Sequence, residues 1–375
     1  MTLKLLTSLH FGIQRDLLPA IEESLGPLSA KDRQFIRVCE VLGLEKFLIA
    51  CDWKGIGRRP KSRLKMAHAF IAKALWNIPD TKALIGQLKA NTTLRRLCGW
   101  EEGPGGVPDE STFCRAFATF ARIGLGSRVH QELIATHLGE AIIWHASSDS
   151  TAIEAREKVS KDPASVKVES PPPARKRGRP RKGDTPPPPP PPEPTRLQRH
   201  LQGSLEQNLR DMPEARCAYG CKKNSQGNTD YWRGYKLHLI TSDGDVPLSA
   251  YLSSANLHDS QAAIILEQSA AERTGTVLYQ LKDSAYDAQT IREHSQRQGS
   301  VPIIEARDYR SADAVRMEPD RARHYKARSS VERVNSDLKD NHGGRSVRVR
   351  GAAKVMTHLM FGVLVMSAEA LLRLI

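Results

Sequence analysis

The chain has 375 residues, enough for two or three domains with real cores. Lys and Arg total 56 against 42 Asp and Glu, a formal charge of +14. That surplus favours a polyanionic partner, because bound Lys and Arg release counterions from a phosphate backbone. Six scattered cysteines exclude a disulfide-stapled scaffold and suit a reducing cytosol. Cys217-x3-Cys221 stands without a second pair at zinc spacing.

Met1 to Leu17 lacks the charged, apolar and small-residue succession of a signal peptide. Residues 1 to about 140 show helical periodicity, with Leu64, Ala67, Ile71, Ala74 and Leu75 on one face. Gly103–Pro108 is a turn, after which Asp109 or Ser111 caps a helix through Phe113, Phe117 and Phe120. Lys82–Leu97 and Ser111–Ile123 could pair as a helix-turn-helix with Thr112 and Arg115 facing DNA, or belong to an ordinary bundle. Arg58, Arg59, Lys61, Arg63 and Lys65 form a basic run suited to phosphate contact or to plain solvation.

Ala141–Glu154 predicts a strand carrying Asp149 near its end. Residues 158–224 are low in complexity, and 12 of the 24 residues from Pro171 to Pro194 are proline, so a largely disordered insertion is expected. Within it RKRGRPRK (175–182), centred on Arg177-Gly178-Arg179-Pro180, resembles an AT-hook, whose arginines enter the narrow, negative minor groove of A·T tracts. A solvated linker is the alternative.

Order returns with strands Tyr235–Thr241 and Val246–Leu252 around the turn Ser242–Asp245. A helix follows over His258–Ala271, then a short strand Thr276–Leu281 just before Asp283, then another helix. From Arg323, two helices flank Gly343-Gly344. The last, Val355–Ile375, holds His358, Glu369 and Arg373 and reads as a core helix, with no membrane partner implied. The succession predicts an α/β sheet flanked by helices, behind an all-helical N-terminal region.

Three acids stand where chemistry is easily built: Asp149 and Asp283 at strand ends, and Glu332 on a basic helix. Carboxylate oxygens suit Mg²⁺, and a pair of ions could activate a nucleophile and stabilise a leaving oxygen. Tyr325, Arg328, Glu332 and Lys339 fall within about 60° of one another on a helical wheel, opposite the apolar stripe Val331, Val334 and Leu338. Ion pairing of Arg328 with Glu332 on a surface helix is the plainer reading, but it gives no reason for Tyr325 and Lys339 to align.

The pattern Tyr325-x2-Arg328-x3-Glu332-x6-Lys339 resembles the signature of bacterial insertion-sequence DDE transposases. Asp149-Ser150-Thr151 and Asp283-Ser284-Ala285-Tyr286-Asp287 resemble that group's first and second acidic motifs. Gly234–Ala263 and Val107–Phe113 are also similar to its members. The resemblance spans nearly everything outside 158–224 and implies an RNase H-like catalytic domain. On it, Asp149, Asp283 and Glu332 hold two Mg²⁺ ions (or Mn²⁺), while Tyr325, Arg328 and Lys339 grip the transposon-end backbone. The implied partners are double-stranded DNA, as terminal inverted repeats and as target, and at least a second copy of the chain on that DNA. The implied location is a bacterial cytoplasm, at the nucleoid.

The resemblance further divides the chain into a DNA-binding region over 1–140 and a catalytic domain over 141–375. His258, Asp259 and Tyr286 are candidates for places beside the metal ligands, with helix capping the alternative for Asp259. Trp232 could stack on an extruded base or simply pack. Ala285 departs from the pattern, which usually has Gly before the tyrosine. A nuclease of this fold without strand transfer, and a non-catalytic DNA-binding derivative, are the competing readings.

Overall fold

The computed structural model describes residues 2–49, 55, 60–159, 193–223, 227–306 and 317–375. The first part is helical. α1 (Thr2–Gly12) runs through a π-helical turn, Ile13–Leu17, into α2 (Leu18–Leu25). Then come α3 (Ala30–Leu42), α4 (Glu45–Leu48), α5 (Arg63–Leu75), α6 (Thr81–Ala90), α7 (Thr92–Leu97), α8 (Glu110–Arg122) and α9 (Leu125–Leu138). Asp109 starts α8 by accepting from the Thr112 N–H at 2.8 Å.

Two expectations change here. α5 is buried on every side, from Met66 and Ala67 to Leu75, apart from His68, because the Phe70 ring meets Phe113, Phe117, Phe120 and Phe361. Lys82–Leu97 is two helices, since Asn91 ends α6 and caps α7 by accepting from Leu94 N at 2.9 Å. Arg115 is exposed on α8 and bonded to Ser111 and Thr112 of its own helix.

The second part comprises β1 (Ile143–Glu154), α10 (Arg196–Gln202), α11 (Leu205–Asp211), β2 (Ala218–Lys223), β3 (Thr229–Ser242) and β4 (Pro247–Ser254). It continues with α12 (Ser260–Ala271), β5 (Val277–Lys282), α13 (Gln289–Arg297), β6 (Val301–Ile304), α14 (Pro319–Tyr325), α15 (Ser329–Asn341) and α16 (Ala352–Arg373). β4, β3 and β1 are antiparallel neighbours, and β1, β5 and β6 are parallel. β2 extends the outer edge of β3 beyond β4. This mixed six-stranded sheet, with α12 on β3 and β4 and α15 on β1 and β3, is RNase H-like.

Within the stretch 158–224, expected to be largely disordered, residues 193–223 are ordered. Thr195 with Gln198 and Ser204 with Gln207 form capping boxes that start α10 and α11. Buried Asn208 ties both to α12 by donating to His200 O, Gly203 O and Gln268 Oε1. The AT-hook-like Arg177, Gly178, Arg179 and Pro180 lie outside the described residues, as do Arg58 and Arg59, while Lys61 is exposed.

α16 is long and apolar enough to cross a membrane, yet 83 % of its apolar window is buried within the protein. Phe361, Leu364 and Leu371 enter a core shared with Val38, Phe70 and Leu133 of the N-terminal helices. Leu359 and Val363 enter a second core with Leu237 and Leu239 of β3 and with Val331 and Leu338 of α15. One helix therefore fastens the helical region to the sheet and fixes the back of α15.

Candidate active site

Asp149 lies in the middle of β1, opposite Leu239, not near the strand's end. β1 outlasts β5 because β3 continues to pair with it to Glu154. The parallel register matches Ser148 with Lys282, so the next residues on the two strands are Asp149 and Asp283. Asp283 leaves β5 and accepts from Ala285 N at 2.9 Å, which opens a 3-10 turn over Ser284–Tyr286. Two acids 134 residues apart in sequence thus become neighbours through one strand pairing.

The Tyr325–Lys339 segment is helical with an interruption. α14 ends at Tyr325, Lys326–Arg328 form a 3-10 turn, and α15 carries Glu332 and Lys339. The turn brings Arg328 over the strands. Its Nη2 is 3.8 Å from Asp149 Oδ1 and 3.6 Å from Asp283 Oδ2, while Nη1 donates to Glu332 Oε1 at 2.6 Å. One guanidinium therefore bridges all three acids. Tyr325 stands aside, donating to Glu305 Oε2 at 3.2 Å, and half-buried Lys339 is near enough to Asp149 to feel its charge.

Burial raises the Asp149 carboxyl above its usual range, partly countered by Lys222 and Arg328. Burial raises Asp283 likewise, with Arg328 opposing. For both acids the nearby cations do not offset the effect of burial. Glu332 is different: its side chain is 57 % exposed, against 11 % for Asp149.

Two further residues belong to the site. Buried Asn335 donates to Asp149 Oδ2 at 3.3 Å. It falls seven residues after Arg328, about 20° away on the wheel, so its alignment was legible. Lys222, exposed on β2, pulls Asp149 and Asp283 down, although it falls in the stretch whose composition predicts disorder.

Of the residues expected beside the acids, Tyr286 is fully buried, with its hydroxyl unpartnered. Burial, then Asp259, Asp149 and Asp283, raises its phenol well above the usual value. Asp259 makes no cap hydrogen bond on α12; it pairs instead with Lys236 Nζ at 2.8 Å. His258 does the capping work, its Nδ1 accepting from Ser260 N at 3.3 Å. Trp232 packs, buried, and donates its indole N–H to Tyr235 O at 3.1 Å. Cys217 is buried and Cys221 exposed, so the pair does not share an environment.

Carboxylates are the donor type that Mg²⁺ takes, and Mg²⁺ keeps several waters. Such waters would satisfy Tyr286 Oη and Asn335 Oδ1, both buried without partners. Among the described residues, however, no three acid, histidine or cysteine side chains stand close enough to hold an ion. The donor chemistry fits, and in this arrangement the three acids meet the Arg328 guanidinium.

Residues 212–367 match the family model described as "Transposase DDE domain", which takes in Asp283, Glu332 and the Tyr325–Lys339 segment. Residues 30–119 match a second model, described as "Transposase domain". The chain belongs to the DDE transposases. Comparison with curated proteins and with solved structures gave no match. The matched DDE segment begins at residue 212, so Asp149 of the transposase lies outside it; the sheet register is what brings it next to Asp283.

Proposed function

We propose that this transposase cleaves DNA at transposon ends and joins the freed 3′-hydroxyl to target DNA, with Asp149, Asp283 and Glu332 as the metal-binding acids. The observation that carries the reading is the meeting of these three acids on one cation, Arg328. When bound there, Mg²⁺ supplies Lewis acidity and a deprotonated water or hydroxyl at neutral pH. DDE transposases act with a divalent metal, and this donor set suits that need.

The chain's own groups do the rest. Asn335 holds Asp149 by a hydrogen bond, and the Asp283 side chain is fixed by the turn it caps. Lys339 and Lys222 bring positive charge to the rim, where a phosphodiester would lie. Once DNA is present, Arg328 can exchange carboxylates for phosphate oxygens, and Tyr325 can exchange Glu305 for the backbone. Residues 1–140 contribute DNA contacts, with Lys61 in the basic run, and the AT-hook-like insertion adds a minor-groove tether. Pairing two transposon ends calls for at least two copies of the chain on DNA, acting at the nucleoid of a cytoplasm.

The test is strand cleavage and joining on labelled DNA bearing the element's own ends, in Mg²⁺ and in EDTA. Wild type is compared with Asp149→Ala, Asp283→Ala and Glu332→Ala. Metal-dependent nicking and joining that vanish in all three variants, with binding retained, support the reading. Nicking without joining points to a nuclease, and tight binding with no chemistry to a DNA-binding derivative.

A further inference from the structure

A cleft of about 280 Å³ lies away from the three acids, between α5, the starts of α6 and α8, and the arm joining α15 to α16. That is close to the lower end, roughly 300 Å³, of pockets that enclose small ligands. We infer that this cleft is a phosphate-binding site centred on Lys73, taking a backbone phosphate of DNA or the phosphate of a free nucleotide.

Lys73 is the first reason. It lies on α5 with Ala72 and Ala74 packed on either side, is 8 % exposed, and faces the cleft. Its ammonium has no hydrogen bond or ion pair among the described residues. Asp80 also lines the cleft, but its Oδ1 is engaged in starting α6, accepting from Ala83 N at 2.8 Å. Burial lowers Lys73 to about 8, with Asp80 only partly opposing. A buried charge without an acceptor opposes folding, and an anion in the cleft would supply the missing acceptor.

The rim is the second reason. Arg348, Arg350 and Lys354 are exposed, line the same cleft, and make no ion pair among the described residues. With Lys73 they set four cations against the carboxylates of Asp80 and Glu110. Guanidinium forks match phosphate oxygens in geometry as well as charge. The inner wall, formed by Phe70, Phe117 and Phe361, is apolar, so an anion held there is shielded from water and its attraction strengthened.

Position favours DNA as the source. The arm carrying Arg348 and Arg350 follows directly on α15, whose Lys339 is near enough to Asp149 to feel its charge. A strand leaving the three acids along α15 would reach this arm next. That choice of source rests on the proposed DNA substrate; the anion site itself does not.

The experiment measures binding in EDTA, so that an absence of cleavage chemistry cannot affect it. Probes are a duplex oligonucleotide over a range of salt, dAMP and inorganic phosphate, with the thermal midpoint of each free protein. Lys73→Met should raise the midpoint of the free protein, because it removes a buried unpaired charge. It should also weaken duplex binding about three- to tenfold and flatten the salt slope by about 0.9. The double variant Arg348→Gln, Arg350→Gln should flatten the slope with an unchanged midpoint, and Lys73→Arg should restore part of the affinity. Loss of dAMP and phosphate binding with an unchanged duplex isotherm would assign the site to a free nucleotide. A lower midpoint for Lys73→Met would make Lys73 a structural residue and overturn the proposal, as would isotherms identical to wild type for all three probes.

Discussion

Arg328 Nη2 lies 3.6 Å from Asp283 Oδ2, on one of the three acids proposed to bind metal. The same guanidinium reaches Asp149 and Glu332, so Arg328 neutralises a cluster that would otherwise repel itself. Arg328→Gln should therefore destabilise the metal-free protein by about 1–3 kcal/mol, the scale of losing charged hydrogen bonds. It should also make the protein more responsive to Mg²⁺, because the competing cation is gone. Thermal melts over a Mg²⁺ titration check this: the midpoint should rise more steeply in the variant than in wild type. Parallel titration curves would mean that Arg328 and the metal do not compete.

Asp149 and Asp283 are buried and held above their usual carboxyl range by that burial. Asp149→Asn should leave the metal-free protein as stable as wild type or slightly more so, while lowering DNA cleavage on the order of 10⁴-fold, as removal of an essential catalytic acid does. Unfolding and single-turnover cleavage on the same preparation separate the two effects. A variant that cleaves normally would remove Asp149 from the chemistry.

Behind β5, Lys282 and Glu267 form an ion pair that is fully buried, and His294 Nδ1 meets Glu267 Oε2 at 2.9 Å. Burial pushes the Glu267 carboxyl up, but Lys282 and His294 outweigh it and bring it down to about 2. A depressed acid contributes stability that is complete above its unfolded value, near 4.5, and is lost as pH falls towards 2. Urea unfolding should therefore show stability dropping by about 3 kcal/mol across that window. Glu267→Gln should flatten the acid limb and cost about 3–5 kcal/mol at neutral pH, since Lys282 is left buried and uncompensated. Because Lys282 adjoins Asp283, the same variant should slow cleavage.

Lys222 and Lys339 approach Asp149 from β2 and α15. If both grip the backbone, Lys222→Ala and Lys339→Ala should each weaken binding to transposon-end and unrelated duplexes alike, and lower the salt slope by about 1. Filter binding at several salt concentrations checks it. An unchanged slope for either would take that lysine out of contact with phosphate.

Deleting residues 171–194 should lower affinity for A·T-rich duplex and flatten the salt slope, while leaving cleavage at saturating DNA intact. Equal affinities before and after deletion would reduce the AT-hook-like segment to a spacer.

The chain's local patterns carried much of this. Short apolar runs gave the strand that carries Asp149 and the one that ends before Asp283, and apolar positions three to four apart gave the α15 stripe Val331, Val334 and Leu338, because such patterns depend only on neighbouring residues. The same kind of signal stands at Thr195-x2-Gln198 and Ser204-x2-Gln207, whose capping boxes start helices beside the proline-rich tract, inside the stretch that composition marks as disordered. Asn335 was equally visible, in line with Arg328 on α15.

Tertiary structure alone decided the rest. Which strands are adjacent depends on pairings between distant residues, so only the β1–β5 register could put Asp149 beside Asp283. Only the fold, with its 3-10 turn at Lys326–Arg328, seats Arg328 among the three acids. α16 shows the same division: its sequence says that it is apolar, and only the helices and sheet around it make it the core they share.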